Sequence, residues 1–296
     1  MDNAGTPPTE GGTARAQGLM ARHRFDDLWV RAASGLFLAG TAVGALALGG
    51  WFFALFWLIA ALGVNWEWQR LIGAPLPLLR VLAGAGLLIA AVVLFRVGRI
   101  EFAFLLALPV VGFLVWAAGP GFRLWAASGL FYAGGLLLSV LSLRHDPFFG
   151  ACAIGWLFAV VWGTDVCAYF GGRLIGGPKL APRISPGKTW SGFLVGISCG
   201  AALGAAAAHV WPNAQAPLGP VFVLGLAAGA LAQAGDLFES WIKRRFGVKD
   251  ASGLIPGHGG VMDRIDGFIA AAIFAALFGL WRGVPPSAAA GLFYWQ

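Results

Sequence analysis

Charge is scarce in this chain. Asp, Glu, Lys and Arg make up 11% of its 296 residues, against about 25% in ordinary soluble domains, and this excludes a water-soluble globule. Cysteine is scarcer still. Cys152, Cys167 and Cys199 all fall in apolar stretches, with no CxxC spacing and no Cys/His cluster, so the pattern gives no support to a disulfide framework or a zinc centre and the three read as buried small apolar residues. No GxxxxGK[ST] motif can be aligned, which excludes a P-loop nucleotide fold. The first 27 residues lack the apolar core of a cleavable signal sequence, and residues 1–29 read as a disordered tail. There is no internal repeat.

What is abundant is hydrocarbon, with 59% of residues hydrophobic. Apolar runs recur from Val30 to Trp281, most of them near the roughly 20 residues a bilayer-spanning helix needs. The expected fold is an all-α, polytopic integral membrane bundle of about nine transmembrane helices. The spans fall near 32–49, 51–68, 76–95, 101–118, 124–143, 148–171, 191–211, 217–235 and 266–282. Only Gly49 and Gly50 separate the first two, so a broken helix or a re-entrant pair stands as an alternative there. Beyond the tail, residues 30–146 form an N-terminal set of spans. Residues 147–296 form a C-terminal region that carries the chemistry, with loops 172–190 and 236–265. The net charge of +7 is read through the positive-inside rule rather than as a sign of nucleic-acid binding. With the N-terminus inside, sixteen of the twenty Lys and Arg lie on the cytoplasmic side and Arg96, Arg99, Arg144 and Arg282 on the other. Both polar loops then face the cytoplasm. Small residues at four-residue spacing, Gly40/Gly44, Gly200/Gly204 and Gly225/Gly229, are accounted for by close helix packing.

The polar residues cluster. Asp236 closes the eighth span, and Glu239, Ser240 and Lys243 follow at i+3, i+4 and i+7, on one face of a continuing helix. Glu239 and Lys243 read as a solvated i,i+4 pair. A carboxylate set against hydrocarbon, as Asp236 is, needs a partner or a cation. Asp263 and Asp266, at i and i+3 near the start of the ninth span, share a side. Helix capping explains one of them. Together with Asp236 they resemble the oxygen donors of a Mg²⁺ site, with Asp266 read either as a ligand or as a cap. Asp165 lies inside the sixth span and either lines the same site or pairs with a residue such as Arg173. "SPGKTW" presents Ser185, Pro186, Lys188 and Thr189 in a constrained turn suited to phosphate. Lys243, Arg244, Arg245, Lys249 and Arg264 add positive charge for an anionic ligand or for lipid headgroups. Gly257, Gly259 and Gly260 allow close backbone approach or a tight turn, and His258 either donates to a phosphate or holds the loop.

The run "SWIKRRFGVKDASGLIPGHGGVMDRID", residues 240–266, resembles the signature of the phosphatidate cytidylyltransferases, also called CDP-diacylglycerol synthases. The fit passes through Ser240, Lys243, Arg244, Lys249, Asp250, Ser252, Pro256, His258, Gly259, Gly260, Asp263, Arg264 and Asp266 without a gap. It extends to "TDVCAYFGGR" and "ISPGKTWSG". The chain departs at Gly187, where the family carries a second Lys, and at Ser191, where it carries an acidic residue. The resemblance implies a Mg²⁺-dependent, all-helical enzyme of bacterial inner membranes, often homodimeric, that converts CTP and phosphatidate to CDP-diacylglycerol and pyrophosphate. In that frame Asp236 and Asp263 hold Mg²⁺, with Asp165 or Asp266 as a further ligand or supporting partner and a second ion allowed. Lys188 and Lys249 bind phosphates, which Ser185 and Thr189 position. Arg264 stabilises pyrophosphate or orients Asp263. Pro186, Lys243, Arg244, Asp250, His258, Gly259 and Gly260 complete the substrate-binding set. Two rival readings are a CTP-dependent lipid kinase of polyprenol type, which would transfer the γ-phosphate, and an ion-coupled transporter with Asp165 and Asp236 as coupling residues.

Overall fold

The computed structural model describes residues 33–211, 216–255, 259–283 and 287–295. The expected tail therefore lies outside the described residues, as does His258. The chain enters through a short apolar helix, α1 (Ala33–Leu48). Eight helices long and apolar enough to cross a membrane follow among the described residues: α2 (Gly50–Leu71), α3 (Pro77–Arg96), α4 (Ile100–Ala118), α5 (Arg123–Arg144), α6 (Gly150–Leu174), α7 (Trp190–Val210), α8 (Leu218–Arg245) and α9 (Met262–Arg282). The all-α membrane bundle expected from hydropathy is the architecture observed. The chain breaks between α1 and α2 at Gly49. Leu38 and Ala42 of α1 then line one groove with Trp57 and Ala60 of α2, so the two helices fold back on each other.

Contacts between helix ends define two poles. At one, Glu67 of α2 meets the start of α9, the Trp68 indole donates to Trp125 O at the start of α5 at 2.8 Å, and Thr189 sits by Gly172 at the end of α6. At the other, Arg144 donates to Leu46 O at 3.4 Å and Asp146 accepts from Ser287. The described residues singled out for chemistry gather at the first pole. One buried cluster runs through the bundle from Ala42 of α1 to Phe293 near the C-terminus. Leu, Ile, Phe and Trp side chains such as Phe52, Ile59, Leu108, Trp116, Leu277 and Trp281 are exposed, as a lipid-facing surface requires.

Three features differ from the expected layout. α8 runs ten residues past the predicted end at 235, because its polar extension keeps an apolar face: Phe238 lies against Trp68 and Tyr132, and Trp241 against Trp125. The second loop thus shrinks to the segment between Arg245 and Met262. The first loop is largely a two-stranded antiparallel hairpin, β1 (Lys179–Ala181) with β2 (Ser185–Thr189), in which Lys179 pairs with Thr189. The C-terminus turns back as a buried helix, α10 (Ala288–Phe293), held by Ser287 on Asp146 and by Arg282, which donates to Gly291 O and Tyr294 O at 3.0 and 3.1 Å. Six apolar residues were too few to read as a helix from hydropathy.

α6 and α7 pack closely through glycines. A Cβ at Gly200 would meet the Thr164 hydroxyl and fall 2.6 Å from Val160 O. Gly204 packs on Val160, and Gly225 and Gly229 pack α8 onto α7, so two of the three small-residue pairs sit at intrachain contacts while Gly40 and Gly44 meet nothing within 4 Å. Gly200→Ala is expected to cost about 1–3 kcal/mol through overpacking, read as a lowered unfolding midpoint in detergent.

Candidate active site

The site is assembled from α6, the hairpin, α8 and the start of α9. On α8, Gln233, Asp236, Ser240 and Lys243 follow one face at helical spacing. Lys188 at the end of the hairpin reaches across to that face, 2.8 Å from Asp236 Oδ2 and 2.8 Å from Gln233 Oε1. The Gln233 amide nitrogen in turn donates to Asp165 Oδ1 at 3.1 Å. Asp165 is thus joined through Gln233 to Lys188 and Asp236, and Arg173 bonds instead to the Tyr169 hydroxyl at 2.7 Å.

Two turns further along α8, Lys243 is shared. Its Nζ lies 2.7 Å from Glu239 Oε2 and 2.7 Å from Asp263 Oδ1. Glu239 is only 2% exposed, so the expected solvated pair is in fact a buried bridge between α8 and α9. Asp263, in the first turn of α9, also accepts from the Ala251 N–H at 3.1 Å and the Gly260 N–H at 2.7 Å, which ties the preceding loop to the helix entrance. Arg264 takes no part in holding Asp263. Asp266 accepts from the Gly267 N–H at 2.7 Å.

Three cavities meet here. A groove of about 370 Å³ between α1, α2, α6 and α9 is walled by Leu38, Phe56, Trp57, Phe158 and Phe268, and ends at Asp165, Arg264 and Asp266. A polar pocket of about 320 Å³ is lined by six carboxyl groups, those of Asp165, Asp236, Glu239, Asp250, Asp263 and Asp266, against Lys243 and Arg264. A third cavity of about 640 Å³ lies under the hairpin, with Arg173, Lys179, Lys188, Thr189, Asp165 and Asp236 in its wall. Asp165 lines all three.

Several expected residues stand elsewhere. Arg244 and Lys249 are exposed and lie outside these cavities: Arg244, adjacent to Lys243 on α8, is turned about 100° from the inward face, and Lys249 lies beyond the end of the helix. Ser185 and Pro186 lie on β2 beyond the cavity wall, which Gly187, Lys188 and Thr189 form. The Thr189 hydroxyl caps α7, accepting from the Gly192 N–H at 3.1 Å. Ser191, at a family acidic position, donates to Gly176 O. Gly259 and Gly260 shape the loop rather than line a cavity.

Two residues escaped the sequence reading. Gln233 links Asp165 to Lys188, and an amide in an apolar span gives little signal. Glu67 is fully buried on α2, and its presence as a lone carboxylate within a span was the available sign.

Among the described residues no three Asp, Glu, His or Cys side chains stand close enough to hold a metal ion as placed. The donor set nevertheless fits a hard divalent cation in kind, since carboxylates outnumber cations three to one in the polar pocket and Lys ammonium groups occupy oxygens of Asp236 and Asp263.

These features define a multi-pass membrane protein whose acidic centre opens both to an apolar groove and to a cation-lined cavity, an arrangement suited to joining a lipid to a polar anionic substrate. The chain belongs to the cytidylyltransferase family, whose model matches residues 29–281, and it is a nucleotidyltransferase. A phosphatidate cytidylyltransferase of Brucella suis is 45% identical over 243 residues, covering 78% of this chain and 86% of the relative. One from Pseudomonas aeruginosa is 36% identical over 256 residues, covering 80% and 91%. One from Haemophilus influenzae is 41% identical over 169 residues, covering 55% and 59%.

Proposed function

We propose that the protein transfers a cytidylyl group from CTP to phosphatidate, giving CDP-diacylglycerol and pyrophosphate, in a bacterial inner membrane with its N-terminus and acidic pole toward the cytoplasm. The observation that carries this reading is the meeting of the three cavities at Asp165. The apolar groove suits acyl chains, with Arg264 at its polar end for the lipid phosphate. The cavity under the hairpin, with Arg173, Lys179 and Lys188, suits a triphosphate. The acidic pocket lies between them, where the two phosphates would have to meet. The sidedness is supported by the surplus of Lys and Arg at the acidic pole.

The reaction asks little of a general base. A phosphate monoester is already an anion, so one of its oxygens can bond to the α-phosphorus while the bond to the β-phosphate breaks and pyrophosphate leaves with the electron pair. What the protein must supply is alignment and charge compensation. Lys188 would hold the triphosphate against α8, its own position fixed by Asp236 and Gln233. Arg264, at the junction of groove and acidic pocket, would hold the attacking phosphate. Asp236, Asp263, Asp266 and Asp165 are the groups that would hold Mg²⁺, and six carboxyl groups leave donors for a second ion. Mg²⁺ would supply charge neutralisation at the phosphoryl oxygens. Lys243 keeps Asp263 beside Glu239 and limits mutual repulsion in the pocket.

The test is incubation of detergent-purified protein with α-radiolabelled CTP, phosphatidate and Mg²⁺. Label in the extracted lipid with an equal amount of released pyrophosphate is the expected result. Label confined to CDP, with a phosphorylated lipid alcohol formed from γ-labelled CTP, would instead identify a kinase.

A further inference from the structure

Glu67 has no part in the chemistry described above, yet it is fully buried on a membrane-spanning helix. Among the described residues no Lys, Arg or His side chain pairs with it. Its carboxylate is compensated by neutral donors: Oε1 accepts from the Ser252 hydroxyl at 2.6 Å and the Val261 N–H at 2.7 Å, and Oε2 accepts from the Met262 N–H at 2.6 Å. Met262 opens α9, so two of these donors lie at a helix N-terminus, where negative charge is favoured. A carboxylate buried in a span without a cation is costly, and here it secures one loop.

That loop is held by two carboxylates in alternation. Ala251 and Gly260 donate their N–H groups to Asp263, while their neighbours Ser252 and Val261, with Met262, donate to Glu67. At Gly260 the two holds nearly touch. A Cβ there would lie 2.5 Å from Glu67 Oε1, so any larger residue would displace the Glu67 carboxylate from its donors. The Asp263 hold is the one that a reacting site disturbs, because any cation or substrate drawing on Asp263 competes with Lys243 and with those two N–H groups for the same oxygens. The Glu67 hold is independent of it. α2 is also the helix whose Phe56, Trp57 and Ala60 wall the apolar groove, and Trp57 stacks on Phe268 of α9 with ring centroids 4.8 Å apart.

We propose that Glu67 is a positioning residue for cytidylyl transfer: from α2 it pins the entrance of α9, so that Asp263 and Asp266 stay directed into the acidic pocket while Asp263 exchanges partners. This rests on the function proposed above. Glu67 itself touches neither substrate.

Glu67→Gln preserves volume but keeps one acceptor oxygen. Its NH₂ group must face either Met262 N–H or the Ser252 and Val261 pair, and at least one N–H loses its acceptor. The full-length variants Glu67→Gln, Ser252→Ala and their double, with Glu101→Gln at the exposed start of α4 as control, are assayed for kcat and KM per folded molecule. Amide hydrogen exchange of the 251–266 segment is measured on the same samples. For Glu67→Gln, kcat per folded molecule is expected to fall roughly 10- to 100-fold, the size seen for groups that orient ligating residues. KM for CTP should stay within about twofold, because binding in the hairpin cavity is untouched. Exchange should rise at residues 259–262 and stay unchanged in α6 and α7. Ser252→Ala should lose less, and the double variant no more than Glu67→Gln alone, as partners in one contact do. An activity loss that only tracks lost folded protein, or unchanged exchange at the α9 entrance, overturns the proposal. If Glu67→Gln does not fold, Ser252→Ala carries both readouts. Failure of the wild type to transfer cytidylyl groups overturns the proposed function, whereas wild-type behaviour of Glu67→Gln overturns the positioning role alone.

Discussion

Asp263→Asn is expected to lower kcat by at least roughly 100-fold, about 2.7 kcal/mol of transition-state stabilisation at 1.36 kcal/mol per tenfold. The side chain combines two tasks. Its Oδ1 binds Lys243, which also holds the buried Glu239, and its Oδ2 accepts the Gly260 N–H. An asparagine keeps the shape, removes the charge and turns one acceptor into a donor, so its NH₂ group faces either an ammonium or a backbone N–H. Lys243 is left with Glu239 alone, and the acidic pocket loses one of the donors proposed to hold Mg²⁺. Turnover is measured on monodisperse, detergent-purified protein with a wild-type unfolding profile. Near-wild-type kcat in such a preparation would remove Asp263 from the active site.

The second large effect is expected at Lys188. Lys188→Ala deletes a half-buried cation bonded at 2.8 Å to both Asp236 and Gln233. Its loss leaves Asp236 unpaired among five other carboxyl groups and frees Gln233 from the hairpin. A fall in kcat/KM for CTP of about 10²- to 10³-fold is expected, the range found when a single donor to a developing or bound anionic charge is removed. KM for CTP should carry much of it, with KM for phosphatidate little changed. The reverse pattern would show that the cavity under the hairpin belongs to the lipid. Lys188→Arg keeps the charge but replaces a compact ammonium by a planar fork, and should recover only part of the loss.

How far the sequence could be read depended on whether the partners were near in the chain. The spans were legible because hydropathy needs only local composition, and the family signature around Asp263 because its residues are contiguous. Asp236 and Lys243 were placed on one face by helical spacing, and α8 does continue through both. The same spacing misled at Glu239, since an i,i+4 Glu–Lys pair looks alike on a wet face and on a buried one. Only the tertiary fold, which buries Glu239 and brings Asp263 of α9 onto the same Lys243, distinguishes the two cases. Glu67 donates nothing to a local pattern, its partners being 185 to 195 residues away. Lys249 and Arg244 were counted as binding residues by their place in the signature; Arg244 points off the inward face of α8, and Lys249 lies in the segment after the helix, so both fall outside the cavities. The extension of α8 was hidden because the hydrophobic run stops at Asp236 while the helix, supported by Phe238 and Trp241, does not.

The junction at Asp165 also bears on how the reaction ends. If the groove takes the lipid and the hairpin cavity the nucleotide, the two products part into different phases: CDP-diacylglycerol can slip sideways into the bilayer, while pyrophosphate escapes to water. Running backwards would require one reactant to return from oil and the other from solution, arriving together at a single carboxylate. Phosphatidate and CTP must likewise arrive from bilayer and water, so the layout treats both directions alike, and the working direction would be set by the fate of the pyrophosphate.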